Sequence, residues 1–502
     1  MPTHTRLDLT RVVLILGLCQ GGTIVRSAPP VTTRTDSVGQ LLNQWYTEGL
    51  AAGHEGDFYD NRDGGHSRLD LSKYPQLQAL TYSPSEVESG ANFGPAKQVR
   101  AEVILGNASL SGPAVSGVSI PRLYFGSPEG VKFLTSQYLG NQLYVYPEHQ
   151  DHDPAGEVEK GWGDLYPLNS PCLLISQGSS YSDLPILDAI AATMASFKPE
   201  VKKELKDQKL LFPVIQYILR NCLRTLKGPE DYLSGVAHPT VFRAEVIDEE
   251  KMVRTAQAMT RETLPPLILL EVAEESPPPR PGVDFFEAAG RESETLSDQG
   301  VMIARVFRGM ARERSLRVRV ARSFDWKGRF LKLEWRLLRG DPASVKIEPS
   351  VLGTEAKITI SYQNEALPVA SSPGITSRRI DIGVFATNGQ TYSPPVFISF
   401  YFLPNERRIY DTATGRILEV DYGFEGGFVD VLLSSEKPWR DVYHYDKKTG
   451  ALKGWRRELK GAASIEFDGE GRILTPDGPR TVDYKVHPTT STLMHQVKRG
   501  VE

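Results

Sequence analysis

Cysteine is nearly absent from the chain: 502 residues contain three, Cys19, Cys172 and Cys222. A chain of this length can bury a core without covalent staples, so a disulfide-built scaffold is excluded. Cys172 and Cys222 remain as either one bridge or two buried thiols. Long apolar runs are also missing. The longest near the start, Val12 to Leu18, falls well short of the roughly 20 residues needed to cross a bilayer, and no later stretch approaches that length. An excess of charge of either sign is lacking too. The formal net charge is −4 and the isoelectric point about 6.2, which gives no field to gather a polyanion, so a nucleic-acid partner is excluded. Neither H-E-x-x-H nor G-x-S-x-G occurs around the reactive residues, which argues against helical zinc-protease machinery and a nucleophile elbow.

What is present begins with Arg6 and Arg11, the short apolar run, and small residues leading to Ser27-Ala28-Pro29-Pro30. This pattern predicts a signal peptide over residues 1–28, cleaved between about Gly22 and Ala28, and hence an extracellular, periplasmic or cell-envelope protein. Residues 29–40 predict a mobile Pro- and Thr-containing leader. Between 41 and 311, helical periods alternate with strand-like runs. Helices are expected at Leu41 to Leu50, Val131 to Gln137, Leu184 to Phe197, Pro199 to Leu226 and Glu249 to Arg261, and strands at Ala101 to Leu105, Leu143 to Tyr146, Cys172 to Ile175 and Leu267 to Val272. This interleaving predicts a mixed α/β or α+β domain. Within it, Asp57, Asp60, Asn61 and Asp63 crowd a Gly-rich segment that lacks the closing glutamate of a calcium loop and reads as a solvated turn.

Near Arg312 the apolar period drops to two, and alternating strands follow to about residue 404. Ser323, Asp325 and Gly328 form an S-x-D-x-x-G turn, Leu333-Glu334-Trp335 follows, Gly340-Asp341 ends the second strand, and RRIDIGVFATNG closes at Gly389. On these residues, 312–404 resembles a PKD-type immunoglobulin-like domain, which implies a non-catalytic β-sandwich that contacts carbohydrate or a protein partner. From 405 to 488 an aromatic-Asp entry, a Gly turn and an apolar exit recur at Tyr410 to Leu418, Tyr445 to Leu452 and Phe467 to Leu474. These resemble the YD-type hairpin repeats of bacterial surface proteins and predict a small antiparallel sheet. Residues 489–502 read as a tail. The whole layout resembles uncharacterised secreted bacterial proteins.

Reactive side chains concentrate between Tyr144 and Asp183. His149 and His152 stand three apart on a loop with Glu148, Asp151, Asp153 and Asp164, a donor set able to hold a divalent ion, zinc or calcium, although the same composition makes an ordinary solvated acidic loop. SQGSSYSD then reads as a strand, a turn at Gly178 and a helix start. Ser179 is a candidate nucleophile with His149 or His152 as base, and Ser and Asp side chains capping the helix near Leu184 explain the same residues without activity. The expected metal ligands are His149, His152, Asp153 and Asp164. Two function classes follow: a secreted or envelope binding and scaffold protein whose ligand is a carbohydrate or an envelope protein, and an extracellular metal-assisted hydrolase that uses the Glu148 to Asp164 cluster with the Ser179 turn.

Overall fold

A computed structural model describes residues 32–47, 56–92, 94, 102–108, 114–115, 118–119, 127–148, 170–178, 180–288, 293–368, 376–403, 405–424, 434–490 and 492–498. The first unit is an all-parallel five-stranded sheet of β1 (Asp57–Arg62), β2 (Leu77–Ala79), β3 (Val103–Ala108), β4 (Gln142–Glu148) and β5 (Leu174–Gln177), in the order β2-β1-β3-β4-β5. Its helices are α1 (Ser37–Thr47), α2 (Pro128–Tyr138), α3 (Leu184–Ser196), α4 (Pro199–Asp207), α5 (Leu211–Asn221) and α6 (Glu249–Ala258). Parallel strands need long crossovers, and helices supply the apolar faces that cover them. Proline opens α3 and α4 where a missing N–H costs nothing. α3 is buried along almost its whole length, as its run Leu-Pro-Ile-Leu-Asp-Ala-Ile-Ala-Ala-Thr-Met-Ala-Ser requires. Among the described residues no helix is long and apolar enough to cross a membrane.

Asp57 to Asp63 departs from the expected solvated turn. Asp57, Asp60, Arg62 and Asp63 are all buried, because this segment is a parallel strand flanked on both sides, with the turn that follows it, and its polar side chains find partners inside. Asp57 Oδ2 pairs with Lys202 Nζ at 2.6 Å and Oδ1 with Lys206 Nζ at 2.9 Å. Asp60 Oδ2 accepts from Arg62 Nε at 2.6 Å and from Tyr82 and Tyr144 hydroxyls at 2.7 Å each.

The second unit is two facing β-sheets. One holds β6 (Leu267–Glu275), β9 (Glu313–Phe324), β11 (Val345–Pro349) and β12 (Glu355–Ser361), in the order β11-β12-β9-β6. The other holds β7 (Thr295–Gln299), β8 (Met302–Val306), β10 (Lys332–Arg339), β13 (Ile380–Thr387) and β14 (Val396–Tyr401), in the order β10-β13-β14-β8-β7. Strand pairing therefore begins at Leu267 rather than near Arg312. The change of period at 312 is that of β9, which alternates between buried and exposed positions, whereas β8 is buried at every position and shows no alternation. A single apolar core runs from Val38 through Leu270 and Val306 to Leu403, so the parallel sheet and the two facing sheets share an interior.

The three hairpin repeats form a third unit, a seven-stranded antiparallel sheet from Arg407 to Arg480. The turn aspartates Asp411, Asp446 and Asp468 each accept main-chain N–H groups through Oδ1, which explains why every copy enters on Asp. Trp455 is fully buried and stacks on Phe467, with Phe286 from the preceding unit against it. The Pro-rich Glu275 to Gly282 loop thus delivers Val283 and Phe286 to the core of this last sheet. Cys172 and Cys222 are both free and buried.

Candidate functional site

The order of the parallel sheet reverses between β1 and β3: the chain steps from β1 to β2 on one side and then crosses to β3 on the other. In open α/β sheets ligands bind beyond the carboxyl ends of the strands at such a reversal. Asn61 is in register with Asn107 at that edge, and farther along the sheet Glu148 of β4 is in register with Gln177 of β5. β4 and β5 therefore end at paired positions on adjacent strands, about 5 Å apart. His149, His152, Asp153, Asp164 and Ser179 themselves lie outside the described residues, as does Asp151. Among the described residues no group of three or more His, Cys, Asp or Glu side chains is placed to hold a metal ion.

What the described residues bring together at this edge is a different set: Tyr59, Asn61, Asp63, His66 and Ser67 from β1 and its following turn, Asn107 from β3, and Tyr181 and Asp183 from the turn before α3. The β1 turn is tight, with Gly64 and Gly65 at φ 59° and 92°, and Asn61 Oδ1 accepts from the N–H of both Asp63 and Gly65. The Tyr59 hydroxyl lies 3.1 Å from the Ser67 carbonyl and 2.9 Å from Asn107 Oδ1, and it accepts the N–H of Leu69 at 3.0 Å. Burial holds that phenol up at about 12, so it stays neutral and keeps its proton to donate.

Ser67 and Asp183 are fully buried, and Asp63 nearly so. The Ser67 hydroxyl donates to Asp63 Oδ2 at 3.3 Å and receives the main-chain N–H of Tyr181 at 2.6 Å. Asp183 Oδ1 receives the same N–H at 3.1 Å. Burial raises the Asp183 carboxyl to about 6, and the Asp63 charge adds to this, against a partial offset from Ser67 and Asn107. Asp183 Oδ2 and Asn107 Nδ2 are buried, and neither makes a hydrogen bond of good geometry; proximity to Asn107 favours the charged carboxyl without closing a bond.

The expected helix cap is corrected here: Asp183 precedes α3, but its side chain does not cap the helix and points instead to this cluster. Ser182 Oγ reaches Ser176 Oγ at 2.8 Å and donates to the Gly178 carbonyl at 3.1 Å, which closes the turn on itself. Outside the cluster, Tyr181 is 58% exposed, with its ring edge against His66.

Two carboxyls flanking a hydroxyl, one of them titrating near neutrality, can move a proton to or from a bound group. Sequence reasoning placed Asp63 in a solvated turn and missed Ser67 and Asn107, because each sits in a short polar segment that reads as loop. The usable signal was the repetition of Asn and Asp at the ends of successive strands. No family model matches the chain, and no curated protein is similar to it.

Proposed function

We propose that the chain is an exported hydrolase whose acid–base site is the carboxyl edge of the parallel sheet at the β1/β3 reversal. The β units that follow serve as its binding and scaffold part. Asp183 is the proton donor and acceptor. Ser67 and Asp63 hold its proton balance, and Tyr59 orients Asn107 toward the bound group. The observation that carries this reading is the buried Asp183 carboxyl, lifted to about 6 with Oδ2 left without a hydrogen bond. Burial of an acid beside a second acid costs stability, and such arrangements concentrate where a proton has to be moved. The PKD-type resemblance of 312–404 supports a carbohydrate- or protein-contacting role for the facing sheets, and the leader supports action outside the cytoplasm.

The test is turnover of p-nitrophenyl esters, phosphates and glycosides by the purified chain and by Asp183→Asn, with circular dichroism to confirm the fold. One class should be hydrolysed with a pH profile governed by a group near 6, and the variant should lose about 100-fold or more. No turnover of any class, or an undiminished variant, overturns the assignment and leaves a binding and scaffold protein.

A further inference from the structure

Side chains alternate along a strand, so Tyr59 and Asn61 point to the face of β1 that carries the Asp183 cluster, and Asp60 and Arg62 point to the other. Arg62 is the last residue of β1, and its side chain is 3% exposed. Nε donates to Asp60 Oδ2 at 2.6 Å, and the guanidinium carbon stands 5.4 Å from the centre of the Tyr82 ring and 5.6 Å from that of Tyr144. Gly106 of β3 makes room for this arrangement. A Cβ there would lie 2.5 Å from the Tyr144 ring and 2.6 Å from the Asp60 carbonyl oxygen, so a larger residue would push the ring off its place.

Asp60 does not use up the guanidinium. Its Oδ1 accepts from the Tyr82 hydroxyl at 2.7 Å, and its Oδ2 accepts from the Tyr82 and Tyr144 hydroxyls at 2.7 Å each. Burial holds both phenols well above their usual range, so they keep the protons that they donate. In a planar guanidinium the Nε–H and Nη1 lie on opposite edges, so the pair with Asp60 turns Nη1 away from that carboxylate. Nη1 is buried and makes no hydrogen bond. An arginine cannot shed its proton, and a charged donor buried without an acceptor is costly, so such a group marks a partner from outside the chain.

We propose that Arg62 Nη1 anchors a ligand site at the carboxyl edge, beside the β1/β3 reversal, and that the ligand presents an oxyanion to it, a carboxylate or a phosphate. Guanidinium–oxyanion hydrogen bonds are short and strong, and open α/β sheets bind ligands at this place. Tyr146 lies on the same face as Tyr144, near enough for the Arg62 charge to oppose the rise that burial imposes on its phenol, and adds a third aromatic wall. Tyr82 is the half-buried wall, and the oxyanion enters past it. Arg62 and Asp60 are together neutral, so the site selects by directed donation and its binding depends little on salt. The site stands on Arg62, Asp60 and their tyrosines, whether or not Asp183 turns over a substrate.

The test is calorimetric titration of the full chain with inorganic phosphate, with acetate and, as a control without oxygen acceptors, with chloride. Phosphate or acetate should bind, and the one that binds tighter names the group. Arg62→Lys keeps a cation for Asp60 and loses the second edge, so it should bind at least about tenfold more weakly. Tyr82→Phe keeps the guanidinium and frees Asp60 Oδ1 to compete for it, so it too should bind more weakly; it decides the matter if Arg62→Lys does not fold. No binding of phosphate or acetate by the parent overturns the inference. Chloride bound as tightly as either, or unchanged affinity in the folded variants, also overturns it.

Discussion

The main-chain N–H of Tyr181 points at the hydroxyl of Ser67 at 2.6 Å, and both residues hold a left-handed backbone, φ 83° and 51°. Two of the four non-glycine residues with positive φ among those described thus touch each other across 114 positions of sequence. Such conformations cost about 1–3 kcal/mol each and persist where their surroundings impose them.

Tyr181→Gly follows as a first test of that strain. Its ring is mostly exposed, so little burial is lost, and glycine adopts φ 83° freely. The variant should be as stable as the parent or more stable by up to about 1 kcal/mol in urea unfolding, whereas removal of a packed aromatic costs about 3–5 kcal/mol. A loss of that larger size would show that the ring supports the fold.

The pH dependence of stability should carry the signature of Asp183. Its folded value near 6 lies above the ordinary 3.8, so between the two the folded chain binds more proton than the unfolded one. The contribution of this group is therefore fully present below the unfolded value and is lost as pH rises through about 6, on the order of 2–3 kcal/mol. Asp183→Asn removes the slope. It should match the parent in urea midpoint at about pH 4 and exceed it at about pH 7. A variant destabilised at the higher pH would contradict the burial argument.

Asp57 makes the third prediction. It is the anionic partner of Lys202, which is fully buried and whose charged form burial disfavours. Asp57→Ala strands that ammonium, and loss of one partner of a buried pair costs about 3–5 kcal/mol. Lys206 is partly exposed and can turn to water, so Lys206→Ala should cost much less. Equal losses in the two variants, measured by thermal unfolding, would refute the ranking.

Local pattern made much of the fold legible. The Leu184 to Ser196 helix, the strand at Leu174 and the turn at Gly178 all follow from period and turn chemistry. The Asp entries of the hairpin repeats announce their own turns. The opaque parts were those set by distant partners. Leu267 to Glu275 reads as a strand, but its pairing with Leu316 to Phe324 depends on residues about 50 positions away. Asp63 and Ser67 look solvated until β3 and the Tyr181 turn close over them. Asp183 has the residue type and place of a helix cap, and only the tertiary position of Ser67 and Asn107 draws its side chain elsewhere. The His149 to Asp164 ligand set lies outside the described residues and took no part in defining the cluster.

The parallel pairing of Met302–Val306 with Val396–Tyr401 has a consequence for the order in which the molecule is made. Those two strands emerge from the ribosome separated by nearly one hundred residues, and β14, which lies at the centre of the five-strand layer and pairs with β8, is the last of its strands to arrive. Because the interior beneath that layer is continuous with the one beneath the parallel sheet, the first three hundred residues have no finished surface to fold against while synthesis continues. Closure at Tyr401 is a long-range event of the kind that slows folding, and it cannot take place until four-fifths of the chain has been made.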